Sequence, residues 1–292
     1  MNAQPKITVI TPSFQQGAFI EATILSVLQQ DYPNLEFLIF DGGSTDSTRS
    51  ILEQYSGRID FWESKPDKGQ TDALQKGLER ASGDWVCYLN SDDVFYPGAL
   101  HRAAELMTSE NNWIAGSIAY IDVHGNETGT REPVWHPGHP EGWITYKNAI
   151  GQMAVFVRRE ALLACGGFDR DYRRAMDTEL WLRLELSGFR PVLVTDVLAG
   201  FRFHSASKTF GGRLPFLREQ RQMLHKHWNA LSPSARVGAE RVVNRLEAAE
   251  YVYAAAGSTG KEVFPSLKKA FEIDRNVLFT RYFWGALRKA FF

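Results

Sequence analysis

The segment Leu89-Asn90-Ser91-Asp92-Asp93 ends an apolar run in two adjacent carboxylates. Charges so placed repel one another, and a hard divalent cation, Mn²⁺ or Mg²⁺, relieves that repulsion while bridging to phosphate oxygens. The same letters are also ordinary turn punctuation after a strand, because Asn, Ser and Asp readily bond nearby backbone. A second cluster, Asp41-Gly42-Gly43-Ser44-Thr45-Asp46, follows another apolar run. Its paired glycines let the backbone approach a ligand closely. Ser44 or Thr45 can cap the next helix and present amide donors, and Asp41 can hold a ribose hydroxyl or a base edge. The alternative is a tight strand-to-helix turn with Asp41 as its cap.

These groups need elements to hold them. Short β-rich runs at 7–11, 35–41, 59–63 and 85–90 alternate with helical periodicity. Ile20, Ile24, Val27 and Leu28 form one apolar face, and Ala73, Leu74, Gly77, Leu78 and Ala81 another. A β-α-β-α-β-α-β start predicts a parallel sheet with crossover helices, whose ligands bind outside the carboxyl ends of the strands. Those ends carry Thr11-Pro12-Ser13, Asp41-Gly42-Gly43-Ser44 and Asn90-Ser91-Asp92-Asp93. Further on, the pattern predicts a hairpin around His124-Gly125-Asn126, a Pro-rich loop over 133–140 and a buried strand at 153–157. It also predicts a helix at 177–186, closed by Ser187-Gly188. After about residue 212 strands are no longer expected. Ser232-Pro233 signals a helix start, and Gly257 ends a long Ala/Glu/Arg-rich helix.

The 292 residues hold 33 Lys+Arg against 34 Asp+Glu and are 44% hydrophobic, a balance that excludes disorder. The near-neutral total divides unevenly, since residues 213–292 hold 14 Lys+Arg and only 7 Asp+Glu. No apolar run approaches the roughly 18 residues of a membrane span, and the first residues read as a strand rather than a leader. Two cysteines, Cys87 and Cys165, are too few for a disulfide scaffold or a structural zinc site, so the cytoplasm is the expected compartment. The run Gly257-Ser258-Thr259-Gly260-Lys261-Glu262 lacks phosphate-loop spacing, and no Gly-x-Gly-x-x-Gly follows the first strand, which excludes a dinucleotide oxidoreductase.

Together the motifs resemble the inverting family 2 glycosyltransferases of GT-A fold. Ile7-Thr8-Val9-Ile10-Thr11-Pro12-Ser13-Phe14 is similar to that family's opening strand, and Asp41-Gly42-Gly43-Ser44-Thr45-Asp46 to its second-strand signature. Pro66-Asp67-Lys68-Gly69-Gln70-Thr71-Asp72-Ala73 with Lys76-Gly77 resembles the third signature, and Asn90-Ser91-Asp92-Asp93 falls at the metal-binding Asp-x-Asp element. The resemblance covers about residues 6–205. It implies an α/β, mostly parallel GT-A sheet with a C-terminal helical extension. Residues 1–97 would be the nucleotide-binding half, 98–212 the acceptor-binding half and 213–292 a basic helical region.

It also implies roles. Thr11, Pro12, Ser13 and Asp41 would line base and ribose, with Lys68 near the base or diphosphate. Asp72 is a further candidate, although a first-turn carboxylate also simply favours the helix dipole. Asn90 stands where many members have the first Asp, which leaves metal ligation to Asp92 and Asp93 and gives Asn90 the nucleotide. Asp177, opening the Leu-Trp helix in Met176-Asp177-Thr178-Glu179-Leu180-Trp181, matches the catalytic base. Glu179 is its rival, two helical positions on and facing about 200° away. His204 resembles a late His that reaches back to the metal or diphosphate. An imidazole ligand favours Mn²⁺ over Mg²⁺. His204 as a satisfied structural side chain is the other reading.

The expected partners are a nucleotide-sugar donor, by resemblance a UDP-sugar, and a saccharide or lipid-linked saccharide acceptor, with no nucleic acid. The tail from Phe279 onward interleaves aromatic and basic residues. It either lies on an anionic membrane surface or packs its rings back into the protein. Two other functions compete. A nucleotidyltransferase would want a basic loop after the first strand, which Thr11-Pro12-Ser13-Phe14-Gln15-Gln16-Gly17 lacks. A degenerate binding protein is suggested by Asn90 and Met176 but opposed by the presence of Asp92, Asp93 and Asp177.

Overall fold

The computed structural model describes residues 4–139, 142, 149–204, 213–257 and 262–289. The chain divides into two compact units, Met1–Pro137 with Lys147–Ser205, and Gly138–Tyr146 with Ala206–Phe292. The ends of the 133–140 loop and of the tail, most of the 257–262 run and the expected boundary at 212 lie outside the described residues.

In the first unit, β1 (Ile7–Ser13) is buried at every position, as a strand covered on both faces must be. It pairs in parallel with β2 (Leu35–Asp41) on one side and β4 (Trp85–Tyr88) on the other, while β3 (Phe61–Ser64) pairs in parallel with β2. The crossovers carry α1 (Ile20–Leu28), α2 (Thr48–Tyr55) and α3 (Gln70–Arg80). The chain thus winds outward from β1 to β3 and then returns to the far side of β1. That reversal opens a crevice at the carboxyl ends of β1 and β4. The run at 85–90 ends early as a strand because Asp93 N–H bonds the Asn90 carbonyl at 3.1 Å, turning the chain away.

The rest of this unit extends the same sheet. β5 (Val94–Phe95), α4 (Ala99–Ala104), β6 (Trp113–Ile121), β7 (Glu127–Arg131), β8 (Val155–Arg158), α5 (Arg159–Ala164), α6 (Met176–Leu186) and β9 (Pro191–Arg202) follow in order. The nine-stranded sheet runs β3-β2-β1-β4-β8-β6-β9-β5, with β7 paired to β6. β8 is antiparallel to both β4 and β6, so the sheet is parallel in its first half and mixed beyond. The expected strand at 153–157 is a 3₁₀ turn, Gln152–Ala154, leading into β8. The β6–β7 hairpin turns where Asp122 accepts the N–H groups of His124 and Asn126. Ile7, Val9, Phe37, Ile39, Trp85, Ile114 and Phe156 form one core with the inner faces of α1 and α4.

The second unit is helical among its described residues: α7 (Arg213–Lys226), α8 (Pro233–Ala256), α9 (Val263–Ile273) and α10 (Arg281–Lys289). Ser232 Oγ accepts the Ala235 N–H at 3.2 Å with Pro233 in the first turn, the start that Ser-Pro predicts. Ala248, Val252, Val263, Leu267, Val277, Phe283 and Ala286 close a separate core. No helix among the described residues is long and apolar enough to cross a membrane.

Candidate active site

Four strand ends and one helix start build the site. At the end of β1, the hydroxyls of Thr11 and Ser13 are buried without any hydrogen-bond partner. Among the described residues these two hydroxyls, two positions apart on one face of β1, have no protein partner. Pro12 lies between them, and Phe14 just beyond is 60% exposed.

The loop after β2 is bolted to the loop after β1. Asp41 accepts from Ser44 N at 2.8 Å, Ser44 Oγ at 2.5 Å and Ser64 Oγ at 2.6 Å. Ser44 Oγ in turn accepts the Gln15 N–H at 2.7 Å, and Asp46 accepts those of Gly17 and Thr48. Asp46, not Ser44 or Thr45, therefore serves the start of α2. Gly43 has φ +83°, a conformation that favours glycine, and a Cβ on Gly42 would stand 3.2 Å from the Phe14 ring and the Asp67 carboxylate, a tight contact between loops.

Lys68 is exposed just before α3. Asp72 departs from a donor-facing role, since it is ion-paired to Arg170 at 2.8 Å and Lys76 at 3.0 Å. Burial works to raise its pKa, but hydrogen bonds from Arg170, Lys76 and the Lys68 N–H outweigh that and hold it at about 2.

At the turn after β4 the two carboxylates part company. Asp92 is half-buried, and its Oδ2 lies 2.9 Å from His204 Nε2. His204 is held by the Phe19 ring, centroids 4.6 Å apart. Asp93 departs from the expectation of a shared ligand pair: it is fully buried, accepting the Arg202 N–H at 3.0 Å and the Asn90 amide at 3.2 Å. Burial and then the Asp92 charge push its pKa well up, against the bonds from Arg202 and Asn90. Asn90 also receives Gln70 Nε2 at 2.6 Å and donates to Gln152 at 3.0 Å, so its amide is a hub of the turn. Arg202 binds the carbonyls of Asp92, Asp122 and Val123, fixing the turn to β9.

Asp177 opens α6. Its Oδ1 accepts the Thr178 N–H at 2.7 Å and the Thr178 hydroxyl at 3.3 Å. Burial raises its pKa, opposed by the Thr178 bonds and the Arg131 charge. Glu179 is wholly buried and chelated by Arg183 at 2.6–2.9 Å, so its carboxylate is already committed. Met176, where an acid is common in the resembled family, accepts Thr71 Oγ1 at its sulfur at 3.1 Å. Tyr88, buried with an unpartnered hydroxyl, has its pKa pushed well up by burial and then by the charges of Asp177 and Asp93. One phenol thus feels both carboxylates, which puts the turn after β4 and the start of α6 in a single site.

Sequence reasoning did not select Phe14, Tyr88, Arg131, Gln152 or Arg202. Phe14 had a signal, an aromatic directly after the Thr11–Ser13 strand end. The others depend on pairings across the sheet.

Among the described residues no three His, Cys, Asp or Glu side chains cluster as a ready-made metal cage. Asp92 and His204 supply one carboxylate and one imidazole. These two side chains could hold a divalent cation, as a carboxylate and an imidazole can.

Fold and site together define a glycosyltransferase. The chain belongs to glycosyl transferase family 2, whose model matches residues 8–177. It is 33% identical over 210 residues to a Bacillus subtilis protein named for teichuronic acid biosynthesis, TuaG, covering 69% of this chain and 80% of TuaG. It is 29% identical to the B. subtilis glycosyltransferase named EpsE, covering 68% and 73%. The fold matches S. aureus TarS 1–349 in complex with UDP-GlcNAc with a TM-score of 0.69 at 15% identity, covering 98% of this chain and 88% of that one. It also matches a Pyrobaculum calidifontis mannosyltransferase in complex with GDP-Man and Mn²⁺, TM-score 0.61 at 17% identity, covering 100% and 88%.

Proposed function

We propose that this chain moves a hexosyl group from a nucleotide-diphosphate sugar, by preference a UDP-sugar, to an acceptor hydroxyl with inversion at the anomeric carbon. The observation that carries the reading is Asp177, a partly buried carboxylate in the first turn of α6 whose pKa is raised, with Tyr88 feeling both its charge and that of the acidic turn. Thr11, Pro12, Ser13 and Asp41, with Phe14, line the nucleotide, and Lys68 lies toward the base or diphosphate. Residues 1–97 serve the donor, 98–212 the acceptor, and 213–292 stand apart from catalysis.

Asp92 and His204 would hold a divalent cation, which when bound neutralises charge developing on the diphosphate leaving group. Asp93 and Asn90 keep that turn in shape. Asp177 removes the proton from the acceptor hydroxyl as its oxygen attacks from the face opposite the departing diphosphate, and a single such displacement inverts configuration. Confinement between Tyr88 and the α6 start limits the water that competes with the acceptor.

The acceptor is a saccharide or lipid-linked saccharide of a bacterial surface polysaccharide. TuaG, named for teichuronic acid biosynthesis, supports that class, and TarS with UDP-GlcNAc supports the donor. The enzyme works in the cytoplasm with peripheral membrane contact through its C-terminal helices. The test is Asp177→Asn with a nucleotide-sugar panel. Transfer is expected to fall by at least about 10³-fold with donor affinity unchanged, and near-wild-type transfer would overturn the base assignment.

A further inference from the structure

α9 turns Val263, Leu267 and Ala270 into the core of the helical unit. At about 100° per residue, Phe264, Lys268 and Phe271 then share one flank, roughly a quarter-turn from the buried stripe. Phe264 is 41% and Phe271 36% exposed, and the Lys268 side chain is 80% exposed. Arg275 lies over the Phe271 ring at 5.8 Å, and Phe279 follows at 87% exposed. α10 repeats the arrangement: Phe283 and Ala286 go inward, while Trp284, Arg281 and Arg288 share an exposed flank. The Trp284 indole N–H donates to the Leu278 carbonyl at 2.7 Å, which sets the ring against the connector bearing Phe279.

Rings exposed at this density mark a contact surface, and the charge beside them says of what kind. Lys268, Arg275, Arg281 and Arg288 border the rings. Of the nearby acids, Glu272 pairs with Lys268 at 4.0 Å and Asp274 is bonded to Asn276. We infer that these two flanks are a docking surface for an anionic lipid bilayer. The rings sit at headgroup depth and the four cations lie against headgroup phosphates. This deepens the membrane contact proposed above, on which it rests, by assigning it to Phe264, Phe271, Phe279 and Trp284.

The experiment is co-sedimentation of the full chain with vesicles of phosphatidylcholine alone, or containing about one third phosphatidylglycerol. Binding is expected to the anionic vesicles only and to weaken with salt. Phe279→Ser should reduce it several-fold, and the Phe271→Ser/Phe279→Ser and Lys268→Glu/Arg275→Glu pairs by about tenfold or more, with wild-type circular dichroism and melting. No binding by the wild type, equal binding to neutral vesicles, or full binding by folded variants overturns the inference. So does conversion of a wild-type dimer to monomer with vesicle binding intact, which would make the face a protein interface. Donor hydrolysis measured without vesicles on the same samples reports the catalytic reading separately and should be unchanged in every variant.

Discussion

Asp177 and Asp72 are both first-turn carboxylates, and their surroundings drive them in opposite directions. Burial raises the pKa of Asp177, whereas Arg170 and Lys76 hold Asp72 at about 2. A base must be deprotonated to act, so activity should decline as pH falls through the raised Asp177 value, on a limb above that of an exposed Asp. The Arg131 charge opposes the rise, so Arg131→Ala should move that limb to still higher pH, read from kcat/KM profiles. The stability supplied by Asp72 is complete above its unfolded pKa of about 4 and is lost only as pH falls through about 2. Acid inactivation near the Asp177 limb should therefore reverse on return to neutral pH. Residue types were legible at this scale, but directions were not. Asp92 and Asp93 are neighbours in sequence, and Asp93 is buried where the Arg202 N–H, 109 residues later, meets it together with the Asn90 amide.

Elements whose identity is local could be read closely. β2 begins and ends where the sequence predicts, because its apolar run stops at Gly42-Gly43 and starts after Pro33-Asn34. α3 reads equally well from its three-to-four spacing, and Gly77 within it has a specific cause. A Cβ there would stand 2.4 Å from Ile10 Cγ2, so the helix lies directly on β1. Gly77→Ala gains helix propensity of about 1 kcal/mol but overpacks a buried contact at about 1–3 kcal/mol. The expected net is a loss of about 1 kcal/mol, seen as a melting point lower by a few degrees. The pairing of β6 with β9 was not legible, because it joins residues about 80 positions apart and its register shifts midway. Nothing near either strand encodes that partnership.

At the scale of the whole chain, near-neutrality combines a basic helical unit with an acidic catalytic one, and each has its own core. Charge and periodicity in the sequence change near residue 212, whereas the structural division assigns Gly138–Tyr146 and Ala206–Phe292 to the helical unit. Within the catalytic unit, consecutive residues at the start of α3 reach both reacting sides. Gln70 binds Asn90 on the metal-side turn, and Thr71 bonds the Tyr172 carbonyl and the Met176 sulfur beside Asp177. On the mechanism proposed above, this one helical turn would set the gap between leaving group and base, and with it whether an acceptor or a water molecule meets the sugar. Thr71→Val should spare donor affinity yet raise the ratio of donor hydrolysis to transfer several-fold, measured as free sugar against glycosylated product. In that mechanism the hydroxyl of Thr71 would act as a determinant of fidelity, keeping an expensive donor from being wasted on solvent.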